Sequence, residues 1–311
     1  MSVAKTQSQG MWSREFDDLI RGVSGGFLFG IPLLYTMEVW WLGSVVQPQR
    51  MIVALVTTFV VVLLLNRMAG FRHSDDVSLI DAAMDSVEAL AIGLVCVALM
   101  LLLLGEITSD TPLDENLGKI IFESVPFTIG VALANQFLYR GGAQSDQSDQ
   151  SDRADEQAGQ PDDARNQERE QAEPKQQDQL RGTLSDIGAT LVGATIIAFS
   201  IAPTDEIPML AAATSPLWLL LIIGASLLIS YGIVFEANFA DQQQRRQQQG
   251  IFQSPLSETV ASYLVSIFAA AFMLWFFEQL SFNDPWRMWL DHTLLLGLPA
   301  TVGGAAGRLA V

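Results

Sequence analysis

The chain has 311 residues, half of them hydrophobic and only 16% charged, with a net charge of −17, two histidines and one cysteine. A length of this order suits two soluble domains or one polytopic membrane protein, and a single cysteine excludes both a disulfide framework and a cysteine metal site. So acidic a chain is also a poor partner for nucleic acid.

In chain order, residues 1–13 are expected to be disordered. Residues 13–21 form an amphipathic lead-in that mixes acids with bases and lacks a small-residue cleavage site, so no cleavable signal peptide is expected. Beyond this N-terminal cytoplasmic segment (1–21), a first span is expected at 22–46, interrupted by Pro32, and a second at 51–68. A polar loop with Arg72, His73, Asp75 and Asp76 follows. The third span opens near Asp81 and ends at Gly105-Glu106; the fourth covers 118–139 and contains Pro126. Residues 144–179 are rich in Asp, Glu, Gln and Ser and poor in large apolar side chains. Such a segment buries too little surface to offset its ordering entropy, which predicts an acidic, disordered cytoplasmic linker over 140–182. Four more spans are expected at 183–202, 216–236, 257–280 and 289–309. Leu217 to Phe235 carries no charge over 19 residues, enough at a rise of about 1.5 Å per residue to cross a hydrocarbon core of about 30 Å. Soluble helices of that length show a polar stripe, and these runs do not. The expected fold class is all-α: a polytopic transmembrane helical bundle of eight spans.

The two halves echo each other. An offset of 168 places Gly193 on Gly25, Thr204 on Thr36, Glu206 on Glu38 and Pro216 on Pro48. At 172, Glu278 falls on Glu106; at 173, Pro299-Ala-Thr-Val-Gly-Gly-Ala305 falls on Pro126-Phe-Thr-Ile-Gly-Val-Ala132. What matches is Pro, Gly, Thr and Glu rather than interchangeable Leu and Val, so the expectation is a 4 + 4 internal repeat, 22–139 and 183–311. An even number of spans per unit makes the two units parallel. With the N-terminus inside, inner segments carry 14 of the 17 Lys and Arg, and outer ones only Arg50, Lys119 and Arg287. Both termini and the linker are therefore expected on the cytoplasmic side.

Glu38 and Glu206 are the leading candidates for chemistry. Each sits at the far end of an apolar run, with Thr36 or Thr204 two residues before it and Pro32 or Pro203 freeing backbone carbonyls nearby. Carboxylate, hydroxyl and carbonyl oxygens are the ligands of hard cations, and carbonyls are freed at membrane depth only where protein or water satisfies them. Asp205 adds a charge where the first half has Met37. The plain alternative is that both glutamates reach outer water at helix ends, with Pro208 opening a short helix. Glu106 and Glu278 form a second repeated pair, for which contact with water at span ends is sufficient explanation. Asp85 and Glu88, with Asp81 a turn earlier, share a helical face at the start of span three; acids there also complement the helix dipole. Glu236 has the same ambiguity at the other end of span six. Glu123 lies deeper, three residues before Pro126, and an acid within a span is a functional candidate by default. Pro126 and Pro299, each four residues before a glycine, mark broken or closely packed helices; close packing alone accounts for them. Trp40, Trp41, Trp218, Trp286 and Trp289 fit interfacial belts.

Neither histidine stands in a metalloprotease motif, and no phosphate-binding loop or nucleophile elbow occurs. No enzyme activity and no cofactor are expected. The runs from Arg21 to Trp41, Ile201 to Leu210, Glu88 to Val95 and Leu228 to Glu236 resemble a bacterial family of integral membrane proteins of unknown function. The resemblance covers nearly the whole chain outside the linker. It implies a bacterial inner membrane and a polytopic helical fold, and it brings no activity or site assignment. The working expectation from the acids is cation transport, as channel or exchanger of Ca²⁺, Na⁺ or H⁺, in a lipid bilayer, with a homo-oligomer open. The competing class is a non-transporting scaffold or sensor that recruits partners through the acidic linker; deleting 144–179 would silence the scaffold and spare the transporter.

Overall fold

Runs that are apolar on all sides have no face to turn to water, and here they become helices. The computed structural model describes the backbone of residues 2–70, 79–155, 174–236 and 255–309, and the side chains of 15–67, 79–134, 183–235 and 255–309. Among the described residues there are ten α-helices and no strand. They are α1 (Ser2–Leu34), α2 (Met37–Val45), α3 (Pro48–Gly70), α4 (Leu79–Leu104), α5 (Leu113–Asp155), α6 (Pro174–Ile201), α7 (Glu206–Ala213), α8 (Pro216–Tyr231), α9 (Pro255–Phe276) and α10 (Trp286–Leu309). A π-helical turn, Gly232–Glu236, extends α8. Of the linker expected over 140–182, α5 and α6 supply the two ends, and 156–173 lie outside the described residues. So do the polar loop with Arg72, His73, Asp75 and Asp76, and the side chain of Glu236.

Six helices are long and apolar enough to cross a membrane, or seven if α1 and α2 count as one bent span. Eight were expected, and the difference has two causes. The first expected span is not continuous: α1 stops at Leu34, Thr36 is extended (φ −135°, ψ 97°), and α2 leaves at 90° to α1. The last, α10, is a 24-residue helix, which at about 1.5 Å per residue is long enough to cross, but it is less apolar than the six. Its surroundings explain why. Every residue from Leu295 to Ala305 is buried, so this stretch of the helix is covered by protein on all sides and needs no face suited to lipid.

α5 packs against α1, α2, α3 and α4, and α10 against α6, α7, α8 and α9. The closest approaches are made by glycines. A Cβ built on Gly25 of α1 would lie 2.6 Å from the Gly130 carbonyl oxygen of α5, and one on Gly130 would overlap the Gly25 carbonyl in return. Between α6 and α10, Gly193 and Gly303 stand in the same reciprocal relation, and Gly307 abuts the Ala189 carbonyl. Backbones meet this closely only where there is no side chain, as small-residue interfaces in membranes require. Pro48 and Pro216 open α3 and α8, a first-turn position that needs no N–H. The larger of two clusters of buried side chains runs through both groups of helices and includes Ile31, Leu34, Leu101, Phe127, Ile207 and Leu295. Val53, Leu99, Leu220 and Phe268 are exposed outside it, as lipid-facing positions are.

Candidate functional site: the helix breaks and the buried acids

The break after α1 begins with Pro32. It has no N–H to give the Leu28 carbonyl, and two residues later the helix ends. α2 then starts with exposed donors. Thr36 occupies its N-cap position without a side-chain cap bond, although its half-buried backbone carbonyl accepts from Val39 N–H at 3.0 Å. The missing cap comes from far along the chain. Met37 N–H donates to Oε1 of Glu206 at 3.4 Å, so the first residue of α7 places its carboxylate at the positive end of α2. Glu206 is 6% exposed, and its Oε2 is buried with no hydrogen-bond partner. The Thr204 hydroxyl donates to the Ile201 carbonyl at 2.6 Å and closes the end of α6.

Glu38 and Asp205, by contrast, are exposed. Among the described residues no three acids, histidines or cysteines come close enough to share a metal ion. What comes together is one glutamate and the amino end of another helix.

A residue that the sequence reading passed over completes the break. The buried Tyr35 hydroxyl donates to the Leu295 carbonyl of α10 at 3.0 Å. Leu295 has that carbonyl free because the residue four positions on, Pro299, has no N–H. The signal was available: a proline inside a helix names the carbonyl that must find another donor. Nearby, Gln279 reaches the Pro203 carbonyl at 3.4 Å. Pro126 stands in the same relation to Phe122, one residue before Glu123.

α5 carries the second buried group. Glu115, Lys119 and Glu123 follow each other at four-residue intervals and so lie along one face. Lys119 Nζ donates to the Glu106 carbonyl at 2.9 Å and pairs with Glu115 at 3.1 Å and the Glu106 carboxylate at 3.6 Å. Burial pushes the Glu106 carboxyl above the usual carboxylate range, and the Lys119 charge pulls it back. Glu123 is 1% exposed, and its Oε1 has no partner. Thr128 is fully buried, and its hydroxyl also lacks a partner.

At the other end of the bundle the buried Arg308 of α10 is bonded to Glu258 of α9, lies 4.0 Å from Asp186 of α6 and sits over the Phe235 ring at 5.7 Å. Asp85 and Glu88 are exposed, outside the stripe of α4 that buries Ala82, Ser86 and Gly93. Glu278 is exposed as well and holds φ +60° where α9 ends, much as Gly105 (φ +78°) does after α4. That is a helix-terminating conformation and gives Glu278 a local structural task. Trp40 departs from the interfacial belt: it is 1% exposed, with its indole N–H unpartnered in the core, whereas Trp41 and Trp286 are exposed.

No curated protein and no solved structure matches the chain. A family model described as "Putative integral membrane protein (DUF2391)" matches residues 18–311, which takes in every candidate span. The chain therefore belongs to this family of multi-pass integral membrane proteins.

Proposed function

We propose that the protein moves a small monovalent cation, H⁺ or Na⁺, across a bacterial inner membrane, with Glu206 as the binding carboxylate at the α1–α2 break. The observation that carries this reading is the buried Glu206 side chain, with one oxygen on the α2 amino end and the other unpartnered. An ionised carboxylate so placed needs a counter-charge or a proton, and Oε2 is where either would bind. The Met37 N–H holds Oε1 in place at the α2 amino end and leaves Oε2 for the ion. Ca²⁺ would ask for six to eight oxygens, and the described residues offer no such cluster of acids. Glu38 and Asp205, both exposed, would attract cations to the mouth.

The proposal includes the duplicated architecture, with α1–α2 as one broken span, α10 as the eighth, and both halves parallel. Several facts support it. α2 and α7, α3 and α8, and α5 and α10 begin 169, 168 and 173 residues apart, close to the offsets at which the sequence echoes. The echoed glycine pairs Gly25/Gly130 and Gly193/Gly303 make the same kind of crossing. The distribution of Lys and Arg supports cytoplasmic termini, with the breaks on the outer side.

The test is ion flux into liposomes holding the purified protein, read with H⁺, Na⁺, K⁺ and Ca²⁺ dyes. Glu206→Gln should abolish flux while the protein stays folded, and Glu38→Gln should slow it. Deleting residues 144–179 should leave flux intact. Wild-type flux in Glu206→Gln would overturn the assignment.

A further inference from the structure

We infer that Glu123 is a second binding site within the membrane, for a proton, loaded from the α4–α5 turn past Lys119, Glu106 and Glu115. Glu123 is the eleventh of the 22 residues in the candidate span Leu113–Ala134, which puts it midway along the span. At 1% exposure and with Oε1 buried away from any protein donor, its carboxyl is poorly placed to carry a negative charge. The cheapest way to bury such a group is as the neutral acid.

The one cation on the same face is already taken. Lys119, four residues away, turns to the Glu106 carbonyl and to the Glu106 and Glu115 carboxylates, not to Glu123. The Ser124 hydroxyl beside Glu123 donates to its own helix, to the Ile121 carbonyl at 2.8 Å. Among the described residues Glu123 belongs to no group of three acids, histidines or cysteines, which leaves enough for a proton and too little for a metal cation.

The packing also says where Glu123 looks. On the same face of α5, Lys119 lies under Gly43 of α2, Phe127 under Gly30 of α1, and Gly130 against Gly25 of α1. Glu123 falls between these contacts, so it faces the α1–α2 break, the same break that Glu206 caps. The titratable groups at this break are Glu206, on the α2 amino end, and Tyr35, committed to Leu295; Cys96 of α4 is also buried. Glu38 of α2 is exposed, and α3 contributes none between Arg50 and Arg67. Glu115, Lys119 and Glu123 therefore form a ladder of titratable side chains from the turn to mid-span, with steps of about 6 Å along the axis. A proton entering at Glu106 or Glu115 has Lys119 as its only titratable intermediate on this face.

This deepens the transport reading by naming the ion, and in that respect it rests on that reading; proton binding at Glu123 does not. Infrared spectra of the protein in liposomes test it, for wild type, Glu123→Gln and Glu123→Asp across a pH series, with and without Na⁺. The expected result is a protonated-carboxyl band in wild type that is absent in Glu123→Gln, shifted in Glu123→Asp and lost reversibly as pH rises. A wild-type band that Glu123→Gln leaves unchanged, or one that pH does not alter, overturns the proposal. Loss of the band on adding Na⁺ at constant pH overturns it in favour of sodium. The wild-type series needs no variant to fold, and circular dichroism checks the two that are used. Flux on the same liposomes separates the two ideas: the expected band without flux supports the Glu123 site and sinks the transport reading.

Discussion

Replacing Gly130 by Ala tests the helix crossing on which the site is built. A Cβ there would overlap the Gly25 carbonyl and come within 3.0 Å of the Phe29 Cβ; at Gly303 it would overlap the Gly193 carbonyl and lie 2.9 Å from the Ile197 Cβ. The obstacle is backbone, which cannot rotate aside as a side chain does, so the helices must separate. Overpacking typically costs about 1–3 kcal/mol, and a carbonyl obstacle puts these sites in the upper part of that range. Ala returns up to about 1 kcal/mol through its better helix propensity. The net expectation is a loss of about 1–2 kcal/mol for Gly130→Ala and a similar loss for Gly303→Ala. Gly224→Ala is the control: nothing lies within 4 Å of its built Cβ, so only the propensity gain remains. Stability is measured by reversible unfolding in mixed micelles titrated with dodecyl sulfate, followed by tryptophan fluorescence. If Gly224→Ala loses as much as Gly130→Ala, or if Gly130→Ala and Gly303→Ala match wild type, the crossing is not what the glycines are for.

The same unfolding assay checks two further expectations. Tyr35→Phe leaves the Leu295 carbonyl without its donor, a loss of about 1–3 kcal/mol, and the loss should shrink in a Pro299→Ala background, where residue 299 supplies an N–H. An equal cost in both backgrounds would break the link between Tyr35 and Pro299. Lys119→Met removes the charge that opposes the upward push on the Glu106 carboxyl. A carboxyl raised in the folded state is better accommodated when protonated, so the variant's deficit, about 1–3 kcal/mol at neutral pH, should shrink as pH falls through the raised Glu106 value. A deficit that is flat with pH would mean that Lys119 acts through packing alone.

Much of the architecture could be read from residue types whose effects are local. Pro32, Pro48, Pro216, Gly25 and Gly303 each constrain the backbone where they stand, and the breaks, helix starts and close crossings fell at those positions. The partners could not be read in this way. Helices that are apolar all round carry no stripe to say which face turns inward, so Trp40 and Trp41 looked alike and only one is buried. Thr-x-Glu occurs twice, yet Glu206 is enclosed while Glu38 is exposed, because burial depends on what the rest of the bundle lays over each copy. α10 reads as the least convincing span for the same reason: its glycines and polar residues answer to protein neighbours rather than to lipid. Tyr35 carries no local pattern at all. It becomes visible only through the carbonyl that Pro299 leaves free 260 residues away.

The cap on α2 has a consequence for how the chain is made. Met37 waits for Glu206, which leaves the ribosome 169 residues later, a gap of about 8–34 s at 5–20 residues per second. Tyr35 waits longer still, for Leu295. Throughout that interval the nascent chain holds an amino end and a hydroxyl without the mates they have in the finished fold. Biogenesis therefore has a stage at which the early helices depend on water, lipid head groups or the insertion machinery for what the late helices will supply. The early part, expressed alone, is expected to be a substrate for membrane quality control, and supplying the late part as a separate polypeptide should rescue it.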